Sequence, residues 1–204
     1  MPTPKQIEEI ARIQKAYVEK VAPLVEDLEH VQGYDVSPLH NEARAIMGHL
    51  SRCYGEKRRS VSEEIRKALG HLDRLTLDTY KVYALYFTEI ESDYEESYRG
   101  VDLSMIDNHG FYETYFKLSC QGKKYLLEAR KQESINKKDS LLAYEKMYAF
   151  YHKMMDYLSQ HESAMRSQKL KYMVGKFLAI LGMFLSTSLA VLLGPIILSC
   201  ITCK

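Results

Sequence analysis

Apolar residues recur at three- and four-residue intervals along most of this chain, and no stretch alternates apolar with polar at the two-residue period of a half-buried strand. Ile7, Ile10, Ile13, Ala16, Tyr17 and Val21 predict a first helix over 5–30, interrupted near Pro23 and closed by Gly33. Ser37 and Pro38 open a second that runs to Gly55, because proline at a first helical position gives up only a donor with no partner there. Residues 56–59 read as a turn. Ser60 or Ser62 caps a third helix, with Glu63 and Glu64 in its first turn suiting the helix dipole, and this one continues to Tyr98. Gly100, Asp102, Asp107, Asn108 and Gly110 make 99–110 a loop. A fourth helix follows over 111–132, then a turn at 134–139, then a last helix from near Ser140 with no stop signal before Gly175. Helices of this length joined by short turns predict an all-α chain folded as an antiparallel helical bundle.

The pattern changes at the C-terminal end, where 27 residues from Phe177 to Cys203 carry no charge. About 20 suffice to cross roughly 30 Å of hydrocarbon as a helix, so a transmembrane segment is predicted over 177–203. Arg166, Lys169, Lys171 and Lys176 lie just before it in a basic juxtamembrane stretch, 166–176, which places that side in the cytoplasm by the positive-inside tendency. The beginning, MPTPKQIEEIARIQ, lacks the apolar core of a signal peptide. Residues 1–165 are therefore expected to form a cytoplasmic body on a single-pass protein of the cell membrane. Gly182, Ser186, Ala190 and Gly194 repeat every four residues and lay small side chains along one helix face, predicting self-association. Pro195 predicts a kink or break, since it removes a backbone donor.

Charge narrows the partners. The chain as a whole carries +1, but residues 1–165 hold 23 basic against 27 acidic residues, a balance of −4 that is poor for gripping nucleic acid without sequence preference. Sixteen Tyr and six Phe with no Trp suit half-buried seams where a ring packs and a hydroxyl stays wet. The four cysteines, Cys53, Cys120, Cys200 and Cys203, have no spacing that suggests a zinc site, so no metal or cofactor is expected.

Chemistry concentrates in a repeat. Glu42-Ala-Arg44-Ala-Ile-Met-Gly48-His49-Leu50-Ser-Arg52 and Glu64-Ile-Arg66-Lys-Ala-Leu-Gly70-His71-Leu72-Asp-Arg74 share the pattern E-x-R-x-x-x-G-H-L-x-R. Amphipathic patterning fixes polarity and not identity, so the shared glutamate, arginines and histidine ask for a further reason. Residues seven apart return to nearly the same helix face, which puts Glu42 on the stripe of His49 and strings Glu64, His71 and Asp78 along a second. Two helices joined by a short turn would bring these lines together. An imidazole oriented by a carboxylate and set beside an arginine is equipped to move a proton and meet developing negative charge, as RNA cleavage requires. The candidate catalytic residues are Arg44, His49, Arg66 and His71, supported by Glu42, Glu64, Arg52, Arg74 and Asp78. Arg44 and His49, like Arg66 and His71, are five apart and so about 140° around a straight helix, converging only at a helix end, a kink or an interface.

Both copies match R-x4-H, and over residues 38–85 the chain resembles the HEPN superfamily of helical-bundle proteins. That resemblance implies a bundle acting as a dimer, metal-independent ribonuclease chemistry at the arginine and histidine, and a place in toxin or antiviral systems, including membrane-attached members that accompany RNA-targeting CRISPR effectors. The family often sets Asn, His or Asp directly after the arginine, where this chain has Ala45 and Lys67. The expectation is a membrane-anchored, oligomeric HEPN-like effector or accessory protein of bacterial antiviral defence. It would sense or cleave RNA, or accompany an RNA-guided effector protein, and its helix would anchor it or form a pore. The competing expectation is a non-enzymatic, tail-anchored helical scaffold in which the repeat specifies helix pairing, with Gly48 and Gly70 permitting close approach. His109, His152 and His161 stand alone in the sequence and read as surface or seam residues. No phosphate loop, H-E-x-x-H motif or nucleophile elbow is present.

Overall fold

The computed structural model describes residues 1–55 and 60–202, with side chains described as far as residue 188. Helix makes up 87% of the chain and no strand occurs among the described residues. Among the described residues six α-helices follow in order: α1 (Pro4–Ala16), α2 (Ala22–Gln32), α3 (Ser37–Arg52), α4 (Val61–Ser97), α5 (Phe111–Gln132) and α6 (Lys137–Thr202). The predicted turn at 56–59 lies outside the described residues.

Local chemistry explains the boundaries. Thr3 and Gln6 form a reciprocal capping box ahead of α1. The predicted first helix is two, joined by a π-helical turn, Tyr17–Val21, that widens the backbone just before Pro23, whose ring and missing N–H disturb the preceding turn. Gly33 closes α2 with φ +75° and its N–H bonded to the Glu29 carbonyl, a conformation that a Cβ would strain. The Asn136 side-chain oxygen accepts from the N–H groups of Lys138 and Asp139 at the start of α6. That helix then continues through Gly175 and Pro195.

Contacts divide the chain into two compact units, residues 1–93 with 118–153 and residues 94–117 with 154–204. In the first unit the core is built from Ile10, Ile13, Leu28, Leu39, Ile46, Leu75, Tyr83, Phe87, Tyr144, Met147 and Tyr151. Tyr151 stacks on Phe87 at 4.9 Å, and Tyr148 meets Tyr83 edge-on at 4.8 Å. The wet end of this seam is Asp27, which accepts from the hydroxyls of Tyr83 and Tyr148. In the second unit Phe111, Val101, Leu103, Ile106, Tyr115, Leu158 and Met165 are buried. Its loop carries three consecutive residues of positive φ, Asp107, Asn108 and His109. These side chains tolerate that region best after glycine, and the Tyr157 hydroxyl holds the Asp107 carboxylate at 2.8 Å.

Among the described residues one helix, α6, is long and apolar enough to cross a membrane, and none of its apolar window is buried. Met173, Phe177, Leu178, Met183 and Phe184 are all exposed.

Candidate functional site

The two copies of the repeat lie on α3 and α4 and meet. The Glu42 carboxylate is 2.7 Å from Nδ1 of His71 and takes a hydrogen bond from Arg74 at 3.2 Å. Reciprocally, the Glu64 carboxylate is 2.8 Å from Nδ1 of His49 and takes the Nε–H of Arg52 at 2.8 Å. Each acid thus bonds the histidine and second arginine of the other copy. Residue 42 pairs with 71 and 49 with 64, so the two helices run in opposite directions here. The two imidazoles stack between the acids, with centroids 5.1 Å apart and planes 21° from parallel.

This crossing follows from helix geometry. Seven residues rise about 10.5 Å, too far for Glu42 to bond the His49 of its own stripe. A carboxylate on the shared face reaches across instead. Arg52 and Arg74 follow their histidines by three residues and lie beside them on the next turn. Arg44 and Arg66, five residues before, are exposed and take no part in the cluster. Asp78 is half-buried and also lies outside these contacts. The cluster therefore gathers six of the nine residues singled out in the repeat, with Arg52 and Arg74 holding the place assigned to Arg44 and Arg66.

Electrostatics bind the two halves unequally. The Glu64 side chain is 1% exposed and that of Glu42 20%. Hydrogen bonds from Arg52, then His49, hold the Glu64 carboxyl down to about 2 from its ordinary 4.5. For Glu42 burial pushes upward, but bonds from His71 and Arg74 outweigh it and leave the carboxyl below its usual range. Nδ1 of His49 also has an Arg52 nitrogen at 2.7 Å. A carboxylate only accepts, so Nδ1–H of His71 donates to Glu42 and its neutral ring carries the lone pair on Nε2, whereas Nδ1 of His49 lies between the Glu64 acceptor and the Arg52 donor and serves one of them at a time. Such a ring can take or return a proton at Nε2 while the carboxylate fixes its orientation.

The glycines of the repeat do not mediate close approach. A Cβ on Gly70 would meet nothing within 4 Å, and one on Gly48 would touch only the end of the Arg52 side chain at 3.4 Å. The described part of the small-residue line comprises Gly182, where a Cβ would meet nothing within 4 Å, and Ser186, whose hydroxyl donates to the Met183 carbonyl. The side chains of Ala190 and Gly194 lie outside the described residues.

Two histidines read as solitary have partners. His152 packs on Tyr148 at 4.2 Å with its Nε2 3.8 Å from Asp27, and His161 stands 4.0 Å from Asp107. Separations of 125 and 54 residues hide both pairs from any local pattern. Glu29, Asp35 and His40 bring three candidate ligand atoms within 4.8 Å at the connection between α2 and α3. One oxygen of Glu29 is already engaged there, by the Val36 N–H at 2.7 Å and the His40 imidazole at 2.8 Å. Cys53 and Cys120 are free thiols. In comparisons with known proteins, no family, no curated protein and no solved structure matches the chain.

Proposed function

We propose that this chain is a membrane-attached, oligomeric, HEPN-like effector or accessory protein of bacterial antiviral defence, of CRISPR-associated or abortive-infection type, which engages RNA through the α3–α4 hairpin. The observation that carries the reading is the reciprocal cluster: two stacked imidazoles, each held at Nδ1 by the acid of the other copy and flanked by Arg52 and Arg74. HEPN-like proteins usually act as dimers, and two copies facing each other inside one chain supply the same doubling. Residues 37–74 contain eight basic and five acidic residues, so this hairpin is positive within a body that is negative overall. In the cleaving form, one neutral imidazole takes the proton of a ribose 2′-hydroxyl at Nε2 as that oxygen bonds to the adjacent phosphorus, the other, starting as imidazolium, delivers its Nε2 proton to the 5′-oxygen that leaves, and the arginines face the phosphate. The body is an antiparallel bundle in the cytoplasm and the apolar part of α6 spans the membrane once, serving as an anchor and, when several copies associate, as a pore.

A specific observation favours the second reading, a non-enzymatic tail-anchored helical module. Both carboxylates are engaged in bonds between α3 and α4, and Arg44 and Arg66 of R-x4-H stand apart from the imidazoles. One experiment separates the two. Full-length protein in detergent is incubated with labelled single-stranded RNA, as wild type and as the His49→Ala/His71→Ala double variant, with binding, cleavage and thermal unfolding measured together. RNA binding or cleavage lost in the variant at unchanged melting temperature supports the effector. No RNA interaction by the wild type, with a variant that unfolds several degrees lower, supports the scaffold.

A further inference from the structure

The second unit holds an aromatic cleft that the repeat chemistry leaves unused. It measures about 340 Å³ and is lined by Tyr94, Glu95, Tyr98, Leu103, Tyr112, Tyr115 and Phe116. Helical spacing makes its walls: Tyr94 lies on the last turn of α4 with Tyr98 four residues on, directly after the helix end, and Tyr112 and Phe116 are four apart on the first turns of α5. Tyr94 packs against Tyr98 at 5.2 Å and Tyr115 at 4.8 Å, while Tyr112 stacks with Phe116 at 6.2 Å. The walls are fixed from behind. Leu103 and Tyr115 are buried, and the Tyr112 hydroxyl accepts from the Leu103 N–H and donates to the Val101 carbonyl. On the outer side Phe116 is 54% exposed, so the cleft opens to solvent.

Ring faces carry negative potential, and rings gathered around a space attract a cation whose charge is spread over methyl groups and weakly hydrated. The Lys169 ammonium already lies 5.3 Å from the Tyr98 ring. Among the described residues the rings of Tyr94, Tyr112 and Phe116 have no such cation. Glu95 is the one charged residue in the lining, and its sign matches. We infer that this cleft binds a methylated ammonium group, of the choline type. Small anions are disfavoured by Glu95, and a neutral apolar ligand of equal shape would forgo the attraction of the rings.

The test is calorimetric titration of the full chain in an uncharged maltoside detergent with choline and with 3,3-dimethylbutan-1-ol, in which carbon replaces the charged nitrogen. Choline is expected to bind in the millimolar range and about tenfold more tightly than the neutral isostere. Phe116→Ala and Glu95→Gln, both at exposed positions, should each weaken choline at least about threefold with helical circular dichroism unchanged. Repeating the choline titration in nanodiscs identifies the source of the group. Binding undiminished by phosphatidylcholine indicates a soluble cation, and binding suppressed by phosphatidylcholine but not phosphatidylglycerol indicates a lipid headgroup. Equal affinity for choline and its isostere, no choline binding, or variants that bind as the wild type does would overturn the inference.

Discussion

Glu64 is the residue on which the centre turns, because its almost wholly buried carboxylate joins His49 and Arg52 across the hairpin. Its proton affinity has a direct consequence for stability. A carboxyl that sits near 2 in the folded chain and near 4.5 in the unfolded one binds fewer protons when folded. Acid therefore favours unfolding. The contribution is fully present above about pH 4.5 and disappears as pH falls towards 2, with Glu42 acting in the same direction. Thermal unfolding followed by circular dichroism should show melting temperature falling through this window, and Glu64→Gln should flatten the fall while lowering the plateau at neutral pH. An acid profile left unchanged by Glu64→Gln would mean that the carboxylate is not held as described. Arg44→Ala supplies the contrast, since an exposed guanidinium outside the cluster should leave both plateau and profile unaltered.

At the scale of the helices, two glycines predict opposite results. A Cβ on Gly122 of α5 would lie 2.9 to 3.1 Å from three atoms of the Tyr151 ring. That ring is fully buried and stacked on Phe87, so it has nowhere to move. Gly122→Ala should cost about 1–3 kcal/mol through overpacking. Gly70→Ala, in open space within α4, should instead gain about 0.5–1 kcal/mol from the lower conformational entropy of the unfolded chain. Urea unfolding of both variants checks the pair, and a loss of stability on Gly70→Ala would restore the idea that this glycine admits a neighbour. These positions also show what the sequence made legible. Helical periodicity marked most of the helix boundaries, since Pro38 and the loop near 99–110 carry local signals. Identity at two positions of a repeat announced that Glu42, Glu64, His49 and His71 belong together. Which acid meets which histidine depends on how α3 lies against α4, a tertiary fact with no local trace. The Asp27 seam with Tyr83, Tyr148 and His152 was invisible for the same reason, and the π-helical turn before Pro23 because proline predicts a disturbance without its form.

For the molecule as a whole the apolar part of α6 demands a covering. Between Met173 and Leu185 the large side chains are exposed along the helix, a surface that water does not tolerate over such a length without lipid or protein against it. Lipid alone satisfies hydrocarbon side chains, but association of helices within lipid depends on how closely their backbones approach. Gly182 would permit that approach: among the described residues, its own helix backbone aside, nothing comes within 4 Å of a Cβ there, so a larger residue would fit the single chain and obstruct only a neighbour. Gly182→Leu should therefore leave helical content and thermal unfolding of the body unchanged while reducing the oligomer measured by light scattering in detergent. Where copies assemble into a pore, the same change should abolish dye leakage from vesicles carrying the protein. A leucine variant of unchanged size would show that the small-residue face makes no contact between copies, leaving α6 as an anchor whose apolar surface is covered by lipid alone.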